Sequence, residues 1–167
     1  MNPDSDTLFA QLRAAFPNVP IRAAGAFDDF GNWYPDAAPY MAQLDGKSWD
    51  QLDRAYIVRR SDALGFLGTK HLVAVLPVYL GAMGVDGAWS PATGTLMVIL
   101  AKPLPGEDTG LGQLRFDALV NTLTDEQRAA VAFALHAFAT TDPDDSLGRA
   151  ARDALDRCWN TYLRGIA

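Results

Sequence analysis

The stretch that most constrains this chain is its most apolar run, residues 64–85 (LGFLGTKHLVAVLPVYLGAMGV). Within it Leu72, Leu76, Tyr79 and Met83 recur at helical spacing, and Val75 and Leu80 widen the stripe. A segment this apolar has to be covered by other amphipathic elements, which predicts the buried centre of an α-helical domain. About twenty predominantly apolar residues would also cross a bilayer, but two features argue against a span. Lys70 and His71 interrupt the run, and the uncharged part that follows is too short to cross. Pro77 removes the hydrogen bond to the carbonyl of Val73 and pushes Leu76 away from helical geometry. The expectation is a kinked core helix, or two short helices meeting at Leu76 and Pro77, with no membrane partner.

A chain of 167 residues with 49% hydrophobic content is long enough to bury a core without metal or disulfide staples. It reads as a single helical domain over 1–167. Its 20 acidic and 14 basic residues leave a formal charge of −6. With the arginines dispersed along the chain, that balance disfavours binding to a nucleic-acid backbone. The lone cysteine, Cys158, forms no internal bridge, and no signal-peptide pattern opens the chain, so a cytoplasmic location is expected. The preference for Asp over Glu and Arg over Lys, with abundant Ala, matches the usage of a high-GC bacterial genome.

Taken in order, the chain begins with a helix over 4–16, carrying Leu8, Phe9, Leu12 and Phe16 on one side and ended by Pro17 and Pro20. Residues 18–47 read as a long loop containing several glycines and prolines together with Phe27, Phe30, Trp33, Tyr34 and Tyr40. A connection of that length is either functional or pinned by its own aromatic rings, and pinning is the favoured reading. Ser48 and Gln51 form a capping box that opens a helix continuing toward Leu67, with Trp49, Leu52, Ala55 and Tyr56 inward. Gly68 and Thr69 then start the central stretch. Gly81, Gly84 and Gly87 read as turn residues.

Ser90 and Pro91 mark another helix start, yet Thr95, Val98 and Ile99 are β-branched, so 95–101 is read as helix with a short strand as the alternative. Residues 102–112 form a loop. Phe116, Leu119, Val120 and Leu123 share a helical face, and Thr124 with Gln127 caps a further helix that buries Val131, Leu135 and Phe138. Asp142, Pro143, Asp144 and Asp145 open the last helix, with Asp142 as its cap. Leu147, Ala151, Ala154, Leu155, Cys158, Trp159 and Tyr162 line one side of it. Arg149 with Asp153, Arg152 with Asp156, and Asp153 with Arg157 stand four apart on the other. The predicted fold is all-α, a compact bundle of about six or seven helices.

Gly46-x-x-Trp49-x-x-Leu52, Ala63-Leu64-x-Phe66-Leu67, Leu76-Pro77-x-Tyr79-Leu80 and Leu123-Thr124-x-x-Gln127-x-x-x-Val131 follow one another in this chain. Their order, over about 46–138, resembles that of a family of small uncharacterised bacterial proteins. The shared positions are packing and capping residues, so the resemblance implies a helical fold and no catalytic residue.

The sequence contains no Walker loop, dinucleotide-binding fingerprint, nucleophile elbow or calcium loop. One cysteine and two scattered histidines, His71 and His136, do not make a zinc site, and neither a cofactor nor a metal is expected. Both histidines read as surface residues, and Cys158 as a buried, inert thiol. The candidate site is the acidic, aromatic part of the 18–47 loop: Trp33 and Tyr34 as anchors within a rim of Asp28, Asp29 and Asp36. On this reading the protein is a non-enzymatic binding or accessory module, of the immunity or adaptor kind, acting on a protein partner. The alternative is a small hydrolase-like enzyme using the aspartates of that loop. A purely structural reading has Arg59 and Arg60 neutralising those acids inside the fold.

Overall fold

The computed structural model describes residues 5–27, 34–86, 91–106, 110–141 and 145–165, and every regular element among them is helical. The α-helices are α1 (Ser5–Ala15), α2 (Ala37–Leu44), α3 (Arg54–Arg59), α4 (Thr69–Asp86), α5 (Pro91–Leu100), α6 (Leu111–Thr122), α7 (Asp125–Thr141) and α8 (Ser146–Arg157). Short 3-10 turns cover Trp49–Gln51, Ser61–Gly65 and Trp159–Gly165. The eight α-helices among the described residues exceed the expected six or seven because α2 forms in a predicted loop, while the helix predicted from Ser48 yields one α-helix, α3, between two 3-10 turns.

The centre is where the sequence places it. Helix α4 packs against α1, α3, α5, α6 and α7, and buries Leu72, Val75, Leu76, Val78, Tyr79, Leu80 and Ala82. These residues surround the helix, as expected of one with no solvent-facing stripe. Pro77 lies inside it, and the helix does not divide into two at Leu76. Packing on all sides holds the chain helical through the lost hydrogen bond. One turn later the guanidinium of Arg54, from α3, donates to the carbonyl of Gly81 at 2.8 Å. Gly81 is no turn residue: a Cβ there would stand 2.7 Å from the Phe9 ring of α1, so its hydrogen lets the two helices close together. Gly84 also lies within α4, while Gly87 falls outside the described residues.

The helix expected from Ser48 is broken. Gln51 does reach back, its Oε1 accepting from the backbone of Ser48 at 3.0 Å. The chain then turns extended at Leu52, and Asp53 caps a new helix by accepting from Tyr56 N at 3.0 Å. Two caps five residues apart cannot both begin one helix. Ala55 consequently faces solvent and Ile57 takes the buried position. Residues 95–100 are helical, which removes the strand alternative. Thr95 Oγ1 donates to Pro91 O at 3.0 Å, satisfying the hydroxyl within the helix.

The second capping box forms in full: Thr124 N donates to Gln127 Oε1 at 3.0 Å and Gln127 N to Thr124 Oγ1 at 3.2 Å. At α8 the cap is Asp145, accepting from Leu147 N at 2.9 Å, and Asp142 lies outside the described residues. That backbone bond holds the Asp145 carboxyl below its usual range. The expected row of apolar residues is buried at Leu147, Ala151, Ala154, Leu155 and Trp159, but α8 stops at Arg157 and the chain continues as a 3-10 turn. Of the expected pairs, Asp153 and Arg157 stand 2.9 Å apart.

Part of the predicted loop is helical. Pro39 sits in the first turn of α2, where a missing N–H costs nothing, and Tyr40 and Leu44, four apart, are buried. The preceding segment is tied down by Ile21 N to Lys47 O and Gly46 N to Ile21 O, both at 2.9 Å. Trp49 Nε1 donates to Phe16 O at 3.0 Å, and His71 Nε2 lies 2.8 Å from Arg22 O. Phe27, Tyr34, Tyr40 and Phe66 form one ring cluster, with neighbouring centroids 5.3 to 6.3 Å apart. For the residues described, the aromatic rings of this connection pin it to the core.

Candidate functional site

The predicted site divides between core and surface. Trp33, Asp28 and Asp29 lie outside the described residues. Tyr34 is only 3% exposed, with its ring in the aromatic cluster. Its hydroxyl accepts from Arg60 Nη2 at 2.7 Å and Nε at 3.0 Å, and donates to Asp62 Oδ2 at 3.0 Å. Burial pushes the phenol up, so it remains a donor near neutrality. Arg60 also pairs with the carboxylate of Asp36, whose side chain is 51% exposed. The bond Arg60 donates to Asp36, then those it donates to Tyr34, raise the guanidinium further above its ordinary value. Of the neutralisation foreseen between Arg59, Arg60 and the three aspartates, the described residues hold the pair Arg60–Asp36, which joins the start of α2 to the end of α3.

This arrangement is a clamp in which the tyrosine hydroxyl serves the fold. We expect Tyr34→Phe to cost about 1–2 kcal/mol, the low end for bonds to charged groups because Arg60 and Asp62 can be rehydrated. Urea unfolding reads it, and a loss above about 4 kcal/mol would mean that the ring packing had failed as well.

Other candidate residues are quickly placed. His136 is exposed on α7, and half-buried His71 is engaged with Arg22 O. Cys158 is half-buried beyond α8, and burial pushes its thiol up, away from the reactive thiolate. Among the described residues, no three His, Cys, Asp or Glu side chains are grouped to hold a metal. No helix among them is long and apolar enough to cross a membrane.

A second location was not foreseen. Between α5, α6 and α8 lies an open groove of about 700 Å³. Helix α5 contributes Gly94, Met97 and Val98 to its wall, with Ala101 just beyond, and α6 contributes Leu111, Leu114 and Ala118. A further concavity of about 420 Å³ adjoins it, sharing Pro103 and Arg157 and adding Lys102 and Leu104. Five large apolar residues are exposed among the described residues: Val19, Val98, Leu104, Leu111 and Leu114. All but Val19 line these two concavities. Exposed apolar residues scattered singly are ordinary, whereas these four are concentrated around one depression.

The sequence carried one signal of it. Leu111 and Leu114 lie off the face of α6 that buries Phe116, Leu119 and Leu123, so this twelve-residue helix is apolar on two sides.

Fold and groove together define a chain whose described residues are all-α and carry an exposed apolar face. The chain belongs to the family of unknown function DUF6714, whose model matches residues 5–163. The expected membership in a family without an assigned activity is thus met, over a longer span than the 46–138 read from the sequence. No curated protein and no solved structure matches the chain.

Proposed function

We propose that the protein is a non-enzymatic accessory module that binds another protein, and that the groove between α5, α6 and α8 is its binding face. The observation that carries this is the clustering of Val98 (78% exposed), Leu114 (68%), Leu111 (56%) and Leu104 (43%) around it. A pocket for a small ligand encloses what it binds. Side chains this exposed on the rim need a partner that extends beyond the depression. The competing surface is the segment bearing Trp33, Asp28, Asp29 and Asp36, favoured by the half-exposed Asp36 carboxylate beside the anchored Tyr34.

One experiment separates the two surfaces. The immobilised protein captures its partner from an extract of the native host, and wild type is compared with Val98→Asp/Leu114→Asp and with Trp33→Ala. Both groove positions are exposed, so the double variant should melt close to wild type. It should weaken capture by about 2 kcal/mol or more, the scale of interface hot spots. Capture that survives the double variant and is lost with Trp33→Ala, at unchanged melting temperature, would move the interface to the acidic segment.

A further inference from the structure

Resting on the protein-binding reading above, we infer that the groove's occupant is an amphipathic α-helix of the partner, carrying acidic residues beside its apolar stripe. Three helices face the groove with rows of helical periodicity. On α5 the row runs 94, 97, 98 and, just past the helix end, 101; on α6 it runs 111, 114, 115 and 118; on α8 it runs 150, 153 and 157. Rows at i, i+3, i+4 and i+7 form the ridged surface that receives another helix, and an apolar groove between helices is a common seat for one. Glycine and alanine at 94, 101, 112, 118 and 150 keep the walls low enough for a helix backbone to approach.

Charge selects the flanks of that helix. Among the described residues lining the two concavities, Lys102, Arg115 and Arg157 outnumber a single acid, Asp153, which is paired with Arg157. The whole chain has the opposite balance, 20 acids to 14 bases. Arg157 is shared by both concavities, and its guanidinium donates to the carbonyl of Lys102 at 3.2 Å, fixing the position of the basic rim. Arg115 is held at the α6 wall by its bond to Gly65 O at 2.7 Å. An apolar stripe with carboxylates beside it meets both the groove and this rim, whereas a basic amphipathic helix meets like charge there.

The test is a displayed library of helical peptides of about five turns, selected on the wild-type protein and counter-selected on Val98→Asp/Leu114→Asp. Groove-dependent peptides should carry apolar residues at i, i+3 or i+4, and i+7, and be enriched in Asp and Glu beside that stripe. Their binding should fall about fivefold with Lys102→Glu at low ionic strength and less in high salt. Groove-dependent peptides with no acidic bias, or indifferent to Lys102→Glu, overturn the inference while leaving protein binding at the groove intact. Wild-type self-association abolished by Val98→Asp/Leu114→Asp makes a second copy the occupant and also overturns it. Laurate binding that displaces every selected peptide does the same in favour of a lipid. Failure of the parent reading shows separately, as capture from host extract that the double variant leaves unchanged.

Discussion

Truncating Trp159 to alanine should remove about 3–5 kcal/mol of stability, a large fraction of what a domain of this size possesses. The indole is fully buried. It stands edge-on to Phe116 of α6 with centroids 6.1 Å apart, and 5.7 Å from Tyr162. Its Nε1 donates to Leu100 O at 2.7 Å. Leu100 is the last residue of α5, and its carbonyl belongs to the set that no helix can satisfy internally. One side chain thus fills the space between α5, α6 and the C-terminal turn and also caps α5. Trp159→Phe keeps most of the volume and removes the donor, and should cost about 1–3 kcal/mol. Urea unfolding of the two variants separates the contributions. Losses under about 1 kcal/mol for Trp159→Ala would take the indole out of the core. Because Phe116 also lines the groove, Trp159→Ala should impair partner capture by deforming the site.

The second large effect is expected at Tyr79, where Tyr79→Ala should also cost about 3–5 kcal/mol. The ring is buried at the centre of α4, and its hydroxyl donates to Ile57 O at 2.9 Å. With that proton committed, the Tyr40 hydroxyl, 3.3 Å away, is the donor between the two phenols. Helix α3 has six residues, too few to be stable alone, and Tyr79 ties down a carbonyl of its last turn. Burial pushes both phenols far above the ordinary tyrosine range. Their hydroxyls therefore remain protonated near neutrality, and the network does not weaken on moderate alkalinisation. Tyr79→Phe, which strands the Tyr40 hydroxyl and leaves Ile57 O with only its bond from Arg60 N, should cost about 1–3 kcal/mol. Equal losses for Tyr79→Phe and Tyr79→Ala would show that the hydroxyl contributes nearly everything and the ring packing little.

What the sequence disclosed follows from the range of the interactions involved. The burial of α4 was legible because its apolar density exceeds what any exposed helix can carry. The Thr124 and Gln127 capping box was legible because all its partners lie within four residues. The helix expected from Ser48 was misread beyond its first turn because Asp53 competes as a cap, and local pattern does not say which of two caps prevails. Helix α2 was missed because the glycines and prolines of 18–47 read as a loop, although Pro39, in the first helical turn, is harmless there. Gly81 was misread because its role is set by Phe9, a contact across 72 positions of sequence. Tyr34 was read as a surface anchor beside Trp33, yet its ring packs among Phe27, Tyr40 and Phe66, with its hydroxyl held by Arg60 and Asp62. Apart from the second apolar side of α6, the groove left no mark on the sequence, because its walls come from three helices brought together only by the fold.

The central claim is that a partner sits in the groove, and site-specific photocrosslinking tests it most directly. A benzophenone amino acid is placed at Val98, at Trp33, or at Ala55, an exposed control on α3, and the protein is irradiated in its native host. The account predicts a discrete adduct from position 98 that disappears when Leu114→Asp is added, with none from position 55. An adduct from position 33 and none from 98 would contradict it.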